Sequence, residues 1–351
     1  MLNTPRPPLT REQREELRQQ IMTSRDRNMA RLATDYRESA DRLLAAYQDA
    51  LPSILRTIDS LPDDLNPLYD GDAYDNVGGL YDITDRIARE INVLQSVITD
   101  ESARMQALGI NAGMEGGIAN LNAGGMRVGW GEISPQTIRA GINYVDSTPF
   151  REAVERLGQY HAGRVENLIL TGIGQGANPR AIALSVREYF TESQAPMVDA
   201  YRMVQTTQIY SYRRGTQAVY QETGVREWIW SAAIGSSRTC RACIAMHGTV
   251  HPTTEVLNDH HQGRCAMVPV TPTWRELGFA DGGEVPIETG VDWFNRQDEE
   301  TQRRAVGNNL LFEAIQRGEV AFSPDTIVGV YDNPIFGEMR RARSFREIIG
   351  Q

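Results

Sequence analysis

The chain has 351 residues, enough for two domains, and 40% of them are hydrophobic, which is sufficient for a packed core. Its formal net charge of -10 disfavours general attraction to DNA or to an anionic membrane. All 36 basic residues are arginines, so a lysine Schiff base, a lysine general base and a P-loop lysine are excluded. Because no run of about 18 apolar residues occurs, we expect no membrane span.

Residues 1–108 are predicted to form an N-terminal helical region. Thr10 and Gln13 have the spacing of a capping box, and residues 12–50 contain neither glycine nor proline. Pro52 is expected to end or kink this first helix. Apolar or small residues then recur every three or four positions, at Met29, Leu32, Tyr36, Ala40, Leu43, Tyr47, Leu51, Ile54 and Ile58. Such a seam is typical of packing on a neighbouring helix, and it also suits self-association or docking of a partner.

A second helix is predicted over residues 80–108, followed by a glycine-rich segment. Its apolar face carries Leu80, Ile83, Ile87, Ile91, Leu94 and Ile98. Eight glycines fall within residues 109–131. Because glycine favours turns and flexible connections, this density predicts an interdomain linker over residues 109–133.

From residue 134 the pattern is helical again. The glycines of the segment 172–176 are expected to end one helix, with Asn178 as the cap and Pro179 as the first residue of the next. The G-x-G-x-G spacing, without flanking strands, does not fit a nucleotide-binding loop. A long helix is then predicted over residues 194–222.

After Gly224 the pattern changes to short strands, predicted over 227–230, 249–251 and 266–270. Short helices are expected over 288–306 and 308–317, and a final helix-like stretch over 338–349. We therefore expect a mainly α protein with a small α+β module at about 225–275. Residues 276–351 form a C-terminal extension.

The three cysteines of the chain all lie within 26 residues, and a pair of adjacent histidines precedes the last of them. Cys240 and Cys243 form a C-x2-C pair, and Cys265 follows His260 and His261. Three thiolates and one imidazole complete a tetrahedral zinc site with no position left for water, which is typical of a structural ion. Neighbouring side chains point apart, so we expect only one of the two, His260 or His261, to be the fourth ligand. Free thiols buried in a small core are the other interpretation.

An enzymatic interpretation uses some of the same residues. The sequence Asp259-His260-His261 beside a C-x2-C pair resembles the opening motif of an HNH nuclease. That chemistry needs a further histidine downstream, and no histidine follows His261. We therefore expect no catalytic residues and no enzyme activity, and keep a metal-dependent, HNH-like nucleic-acid enzyme as the alternative.

Several motifs between residues 150 and 270 occur in the order found in a known family. The motifs are Leu168–Gly176 followed by Arg180-Ala-Ile-Ala, Arg202–Thr207, Trp230-Ser-Ala-Ala, Arg238–Cys243, His247–Val250 and Asp259–Pro269. In this order they resemble the phage head morphogenesis family, the Mu F-like minor head proteins. The resemblance covers about a third of the chain and identifies residues 134–275 as the head-morphogenesis domain.

The resemblance implies a structural protein of the virion head, made in the host bacterial cytoplasm. It implies the portal protein, the major capsid protein, or both as partners, with DNA contact inside the head and a role in head assembly, DNA packaging or ejection. The N-terminal helices would serve for docking and self-association. An assembly factor that is absent from the mature virion is the alternative within this class.

The chain departs from the family at two places. Many members have a further cysteine where this chain has Gly263, while His260 aligns with the family histidine and Cys265 with the last cysteine. The resemblance therefore implies His260 as the fourth ligand, with His261 as the alternative. Gln205 and Gln208 stand in a segment where the family usually has an acidic residue. With one cysteine fewer, we expect Cys265 to matter more here.

Overall fold

The computed structural model describes residues 10–60, 73–129, 141–175, 179–271 and 287–350, together with residues 134, 136, 138 and 177. These residues form a mainly helical protein with two small sheets in its C-terminal part, so the expected fold class is confirmed. No helix of the described segments is both long enough and apolar enough to cross a membrane.

Five helices with defined bounds dominate the described part of the chain up to residue 222. They are α1 (Arg11–Asp59), α2 (Ala73–Ala123), α3 (Thr148–Gly174), α4 (Pro179–Thr191) and α5 (Ala195–Glu222). The expected capping box begins α1: the Gln13 amide donates to Thr10 Oγ1 at 3.2 Å, and the Thr10 amide to Gln13 Oε1 at 2.9 Å. Pro52 does not end α1. It lies on the exposed face, where water can satisfy the carbonyl that lacks its helical donor.

The small module follows α5. It contains β1 (Glu227–Ser231), α6 (Arg241–Met246), β2 (Val250–Pro252) and β3 (Ala266–Pro269). The strands form an antiparallel sheet in the order β2-β1-β3, with Trp228 paired to His251 on one side and to Pro269 on the other. All three strands expected from the sequence are therefore present.

The C-terminal part contains short elements that correct one expectation. They are α7 (Gly290–Arg296), α8 (Glu299–Val306), α9 (Asn309–Gln316), α10 (Pro324–Ile327), β4 (Val328–Asn333), β5 (Gly337–Ala342) and α11 (Phe345–Ile349). The helix expected over 338–349 is wrong in its first half, because β5 pairs antiparallel with β4. Gly337, at φ +77°, supports the turn between these strands, and α11 begins only after its cap, Ser344.

The described residues form two compact units, neither of which is continuous in sequence. One draws on Met1–Ala33, Ala107–Asn143 and Gln208–Gln351, and we call it the metal unit because it contains the cysteines. The other, Thr34–Gln106 with Tyr144–Thr207, is the helical unit. The N-terminal helical region expected over 1–108 is thus divided between the two units.

The helical unit has its core between the two predicted seams and the later helices. Its buried seam residues are Ala40, Leu43, Tyr47, Ile54, Ile58, Ile83, Ile87, Ile91, Leu94 and Ile98. Tyr47 also donates a hydrogen bond to the Phe190 carbonyl at 2.8 Å, which ties α1 to the end of α4. The helix end at Gly174 and the helix start at Pro179 agree with the sequence prediction.

The linker predicted over residues 109–133 is a correction, because α2 continues through it to Ala123. Within the metal unit, this glycine-rich end of α2 packs closely on α5. The Thr216 hydroxyl donates to the Gly113 carbonyl at 3.0 Å. Glycine lowers helix propensity, but here its missing side chain lets two helices approach. Residues 130–133 of the predicted linker lie outside the described residues.

Candidate metal centre

The C-x2-C pair lies at the start of α6. Cys240 is the N-cap residue, and its sulfur accepts a hydrogen bond from the Cys243 amide at 3.4 Å. The loop before it is held by Thr239, whose hydroxyl donates to the Ala233 carbonyl at 2.7 Å. Both thiols therefore lie on one helical turn, as the spacing predicts.

His260 approaches the two thiols from the loop between β2 and β3. Its Nε2 lies 3.3 Å from Cys240 Sγ and 3.4 Å from Cys243 Sγ. Its Nδ1 lies 2.8 Å from the His261 carbonyl, to which it can donate. That hydrogen bond leaves Nε2 as the nitrogen that can bind a metal ion, because histidine ligands commonly donate their other ring N–H to a backbone carbonyl.

Cys265 completes the cluster of predicted ligands. Its thiol, the Cys243 thiol and an Asp259 carboxylate oxygen lie within 4.8 Å of one another. Cys243 therefore belongs to two overlapping sets of donors, one with Cys240 and His260 and one with Cys265 and Asp259. The structure thus places the four predicted ligands in two overlapping groups of three donors, which share the Cys243 thiol.

The donors of Cys240, Cys243 and His260 fit a metal ion. Bonds of about 2.3 Å to sulfur and about 2.0 Å to nitrogen at a tetrahedral angle place these atoms about 3.5 Å apart. The observed separations of 3.3 and 3.4 Å are close to this value. Cys243 and Cys265 are 4% and 2% exposed, so the ion would be shielded from solvent. The cluster could therefore hold a metal ion and cross-link α6 to the loop before β3.

The other histidines of the module lie elsewhere. His261 Nε2 is 3.5 Å from Asn333 Nδ2, and its ring packs edge-on against Phe336. His251, on β2, stacks on Trp228 with ring centroids 4.6 Å apart. His247 ends α6, and its Nδ1 accepts from the Ala232 amide at 2.9 Å. Of the two candidates for the fourth ligand, only His260 meets the thiols.

The protonation of each group in the cluster depends on its neighbours. Hydrogen bonding from the Cys243 thiol, and then from His260, lowers the pKa of Cys240 to about 4. The same hydrogen bonding to Cys240, followed by contact with Cys265 and by burial, raises the pKa of Cys243. The Cys240 thiolate raises the pKa of His260 to about 9. Binding a divalent cation must release protons from Cys243 and His260, so its affinity falls as the pH falls.

A buried arginine that sequence reasoning missed holds the ligand loop. Arg213, on α5, is completely buried and its Nη1 lies 2.6 Å from Asp259 Oδ1. Its Nε and Nη2 donate to the Cys265 carbonyl at 3.1 and 3.0 Å. Tyr210 donates to the Asp259 carbonyl at 2.6 Å. No sequence signal near Arg213 indicates this role, because its partners Asp259 and Cys265 are distant in sequence.

Gly263 lies directly against the Asp259 carboxylate. A Cβ atom on Gly263 would lie 2.0 Å from Asp259 Oδ2. The Asp259 carboxylate therefore occupies the space that a side chain at 263 would need. A thiol at this position, as in the family that the motifs resemble, would require the carboxylate to move.

No known protein family, curated protein or solved structure matches this chain. Its function must therefore be inferred from the geometry of the Cys/His cluster and from the order of its sequence motifs.

Proposed function

We propose that the chain is a structural minor head protein of a tailed bacteriophage. One zinc ion would cross-link it at Cys240, Cys243, His260 and Cys265. One observation carries the proposal. The residues of the last motifs, which resemble the head morphogenesis family, are the same residues that meet in one cluster. Their order in the sequence and their meeting in space support the same interpretation.

Zinc is the ion that this donor set suits best. Three thiolates and an imidazole are typical ligands of structural zinc, and four protein ligands leave no coordination position for a reactive water. The strands of the surrounding sheet contain only 5, 3 and 4 residues. Because so small a module buries little apolar surface, a metal cross-link would supply part of its stability. A role in holding structure follows more naturally from this site than catalysis.

The proposed partners are the portal protein and the major capsid protein, with DNA near the chain inside the head. α1 and α2 contain 49 and 51 residues, and such long helices offer extended surfaces for docking and self-association. The net charge of -10 favours protein partners over general DNA binding. Within the host cell the chain would be found in the cytoplasm until heads assemble.

Quantitative mass spectrometry of purified particles from the encoding phage tests this proposal. We expect a few to a few dozen copies of the chain per particle, far fewer than of the major capsid protein. Presence in procapsids and absence from mature particles would identify an assembly factor instead. Absence from both would overturn the head-protein proposal. Zinc measured in the purified chain tests the metal separately.

A further inference from the structure

We propose that Arg213 determines which side chains bind the metal ion, by holding the Asp259 carboxylate away from it. His260 would then complete the ligand set. This inference rests on the proposed metal site but does not depend on the role in a phage head. Arg213 acts through Asp259 and the loop, so it is a positioning residue and not a ligand.

The cluster offers more donors than a tetrahedral ion can use. Besides the three thiols and His260, a carboxylate oxygen of Asp259 lies within 4.8 Å of the Cys243 and Cys265 sulfurs. Carboxylates bind zinc at about 2.0–2.2 Å, as readily as imidazole does in many sites. Something in the structure must therefore decide between His260 and Asp259.

Arg213 and the loop itself engage both oxygens of that carboxylate. Arg213 Nη1 donates to Oδ1 at 2.6 Å, and the Cys265 amide donates to Oδ2 at 3.4 Å. Arg213 is 0% and Asp259 1% exposed, so water cannot replace either partner. Breaking a buried ion pair leaves an uncompensated charge and is strongly unfavourable. The pairing thus keeps the carboxylate from the ion.

The same guanidinium also fixes the shape of the loop. Its Nε and Nη2 groups donate to the Cys265 carbonyl, so the Arg213 side chain binds both ends of the segment from Asp259 to Cys265. Gly263 leaves the space into which the carboxylate fits. In this arrangement Asp259 turns towards α5, while His260 turns towards Cys240 and Cys243.

Removing Arg213 should therefore change the ligand set. The Asp259 carboxylate would become a buried anion without a cationic partner, next to the site of a divalent cation. Binding that cation would compensate the charge, since burial of an isolated carboxylate is costly. Asp259 would then be able to replace His260.

A set of variants of the full-length chain tests this exchange, with zinc affinity measured by competition against a chromophoric chelator. In the wild-type background we expect His260→Ala to weaken zinc binding by about 100-fold, because no other ligand can take its place. In an Arg213→Met background the same change should weaken binding by less than about tenfold. When Asp259→Asn is added to that background, His260→Ala should again cause the full loss of zinc affinity. This result would identify Asp259 as the ligand that replaces His260.

Arg214→Met is the matched control, because Arg214 is the neighbouring, exposed arginine of α5. In that background His260→Ala should weaken zinc binding as much as in the wild type. If Arg213→Met does not fold, as judged by circular dichroism, Arg213→Lys is used instead. Lysine keeps the buried charge but cannot bind the Asp259 carboxylate and the Cys265 carbonyl at the same time. The comparison is then made in that background.

An equal loss on His260→Ala with and without Arg213 would overturn the inference. So would a zinc affinity of the Arg213 and His260 double variant that Asp259→Asn does not change. A wild-type chain that binds no zinc would remove the metal site itself, whereas particle composition tests the head role independently.

Discussion

Gly113 of α2 lies directly against the main chain of Tyr212 of α5: a Cβ atom on Gly113 would be 2.0 Å from the Tyr212 carbonyl oxygen. Gly109 and Gly117 lie one turn to either side on α2, and a Cβ on Gly109 would be 2.4 Å from the Gln208 carbonyl oxygen. Gly215 lies opposite them on α5, where an added Cβ atom would be 2.6 Å from the Ile110 carbonyl oxygen. The glycine-rich stretch is thus a close contact between two helices of the metal unit.

Gly113→Ala should destabilise the chain. The added methyl group would overlap main-chain atoms of α5, which cannot move without separating the helices. Overpacking of this kind typically costs about 1–3 kcal/mol. We expect the midpoint of thermal unfolding, followed by circular dichroism, to fall by several degrees.

Gly163→Ala provides the matched control for this substitution. Gly163 lies in the interior of α3, and a Cβ there meets no atom within 4 Å among the described residues. Alanine should therefore stabilise that helix by up to about 1 kcal/mol through its higher helix propensity. Equal effects of the two substitutions would contradict the close contact at Gly113.

Removing the metal should destabilise the wild-type chain and a His261→Ala variant, but have no effect on a His260→Ala variant. A ligand present at 100 times its Kd adds about 2.7 kcal/mol to the stability of the folded state. We therefore expect chelation to lower the melting temperature of the wild type by several degrees. His260→Ala should melt at the lower temperature with or without chelator and should contain little zinc.

His261→Ala separates the two neighbouring histidines. His261 contacts Asn333 and Phe336 instead of the thiols, so its loss should leave the zinc content near that of the wild type. If His261→Ala lost the metal while His260→Ala kept it, the assignment of the fourth ligand would be reversed.

The sequence could predict those residues of the site that lie close together along the chain. Cys240, Cys243, His260 and Cys265 lie within 26 residues, and the thiol and imidazole chemistry restricts what they can do together. The strands beside them could be predicted for the same reason, because alternating β-branched and aromatic residues act locally.

The parts that could not be predicted depend on partners distant in sequence. Arg213 precedes Asp259 by 46 residues, and nothing nearby indicates that this arginine is buried. In the sequence alone the glycines of α2 indicate a turn, because helix propensity is a local property. Their packing against α5 depends on residues that are distant in sequence. The arginine-rich sequence of β5 favours a helix, because arginine has a high helix propensity. The strand forms because β5 pairs with β4.

Glu101→Gln should destabilise the helical unit. Glu101, on α2, is 8% exposed and accepts hydrogen bonds from Ser39 at 2.8 Å, from Arg42 at 2.6 Å and from Arg104 at 3.2 Å. Glutamine has a similar shape but lacks the charge and one acceptor, so the charge-assisted bonds weaken. We expect a loss of about 1–3 kcal/mol in the free energy of unfolding measured in urea.

Glu152→Gln is the control for this loss of charge. Glu152 pairs with Arg156 at 3.3 Å on the exposed surface of α3, where both side chains are more than half exposed. Such exposed pairs contribute little. An equally large loss for Glu152→Gln would show that the effect is a general one of net charge and not of the buried network.

Acidification should destabilise the metal unit through His247. Burial, followed by the nearby charge of Arg25, lowers the pKa of His247 to about 4, and its neutral Nδ1 accepts the Ala232 amide. The unfolded chain takes up a proton near the ordinary pKa of about 6.5, whereas the folded chain does so only near 4. The contribution of His247 to stability is therefore full above about pH 6.5 and lost as the pH falls towards 4.

His247→Asn isolates this contribution, because its amide oxygen can accept from Ala232 but does not titrate. Between pH 7.5 and pH 5, the wild type should lose about 2 kcal/mol more unfolding free energy than the variant. Urea denaturation at the two pH values measures this difference, and proton competition at the metal site affects both proteins alike. Equal losses in the two proteins would mean that His247 already carries a proton in the folded chain at pH 5, which its hydrogen bond from the Ala232 amide does not allow.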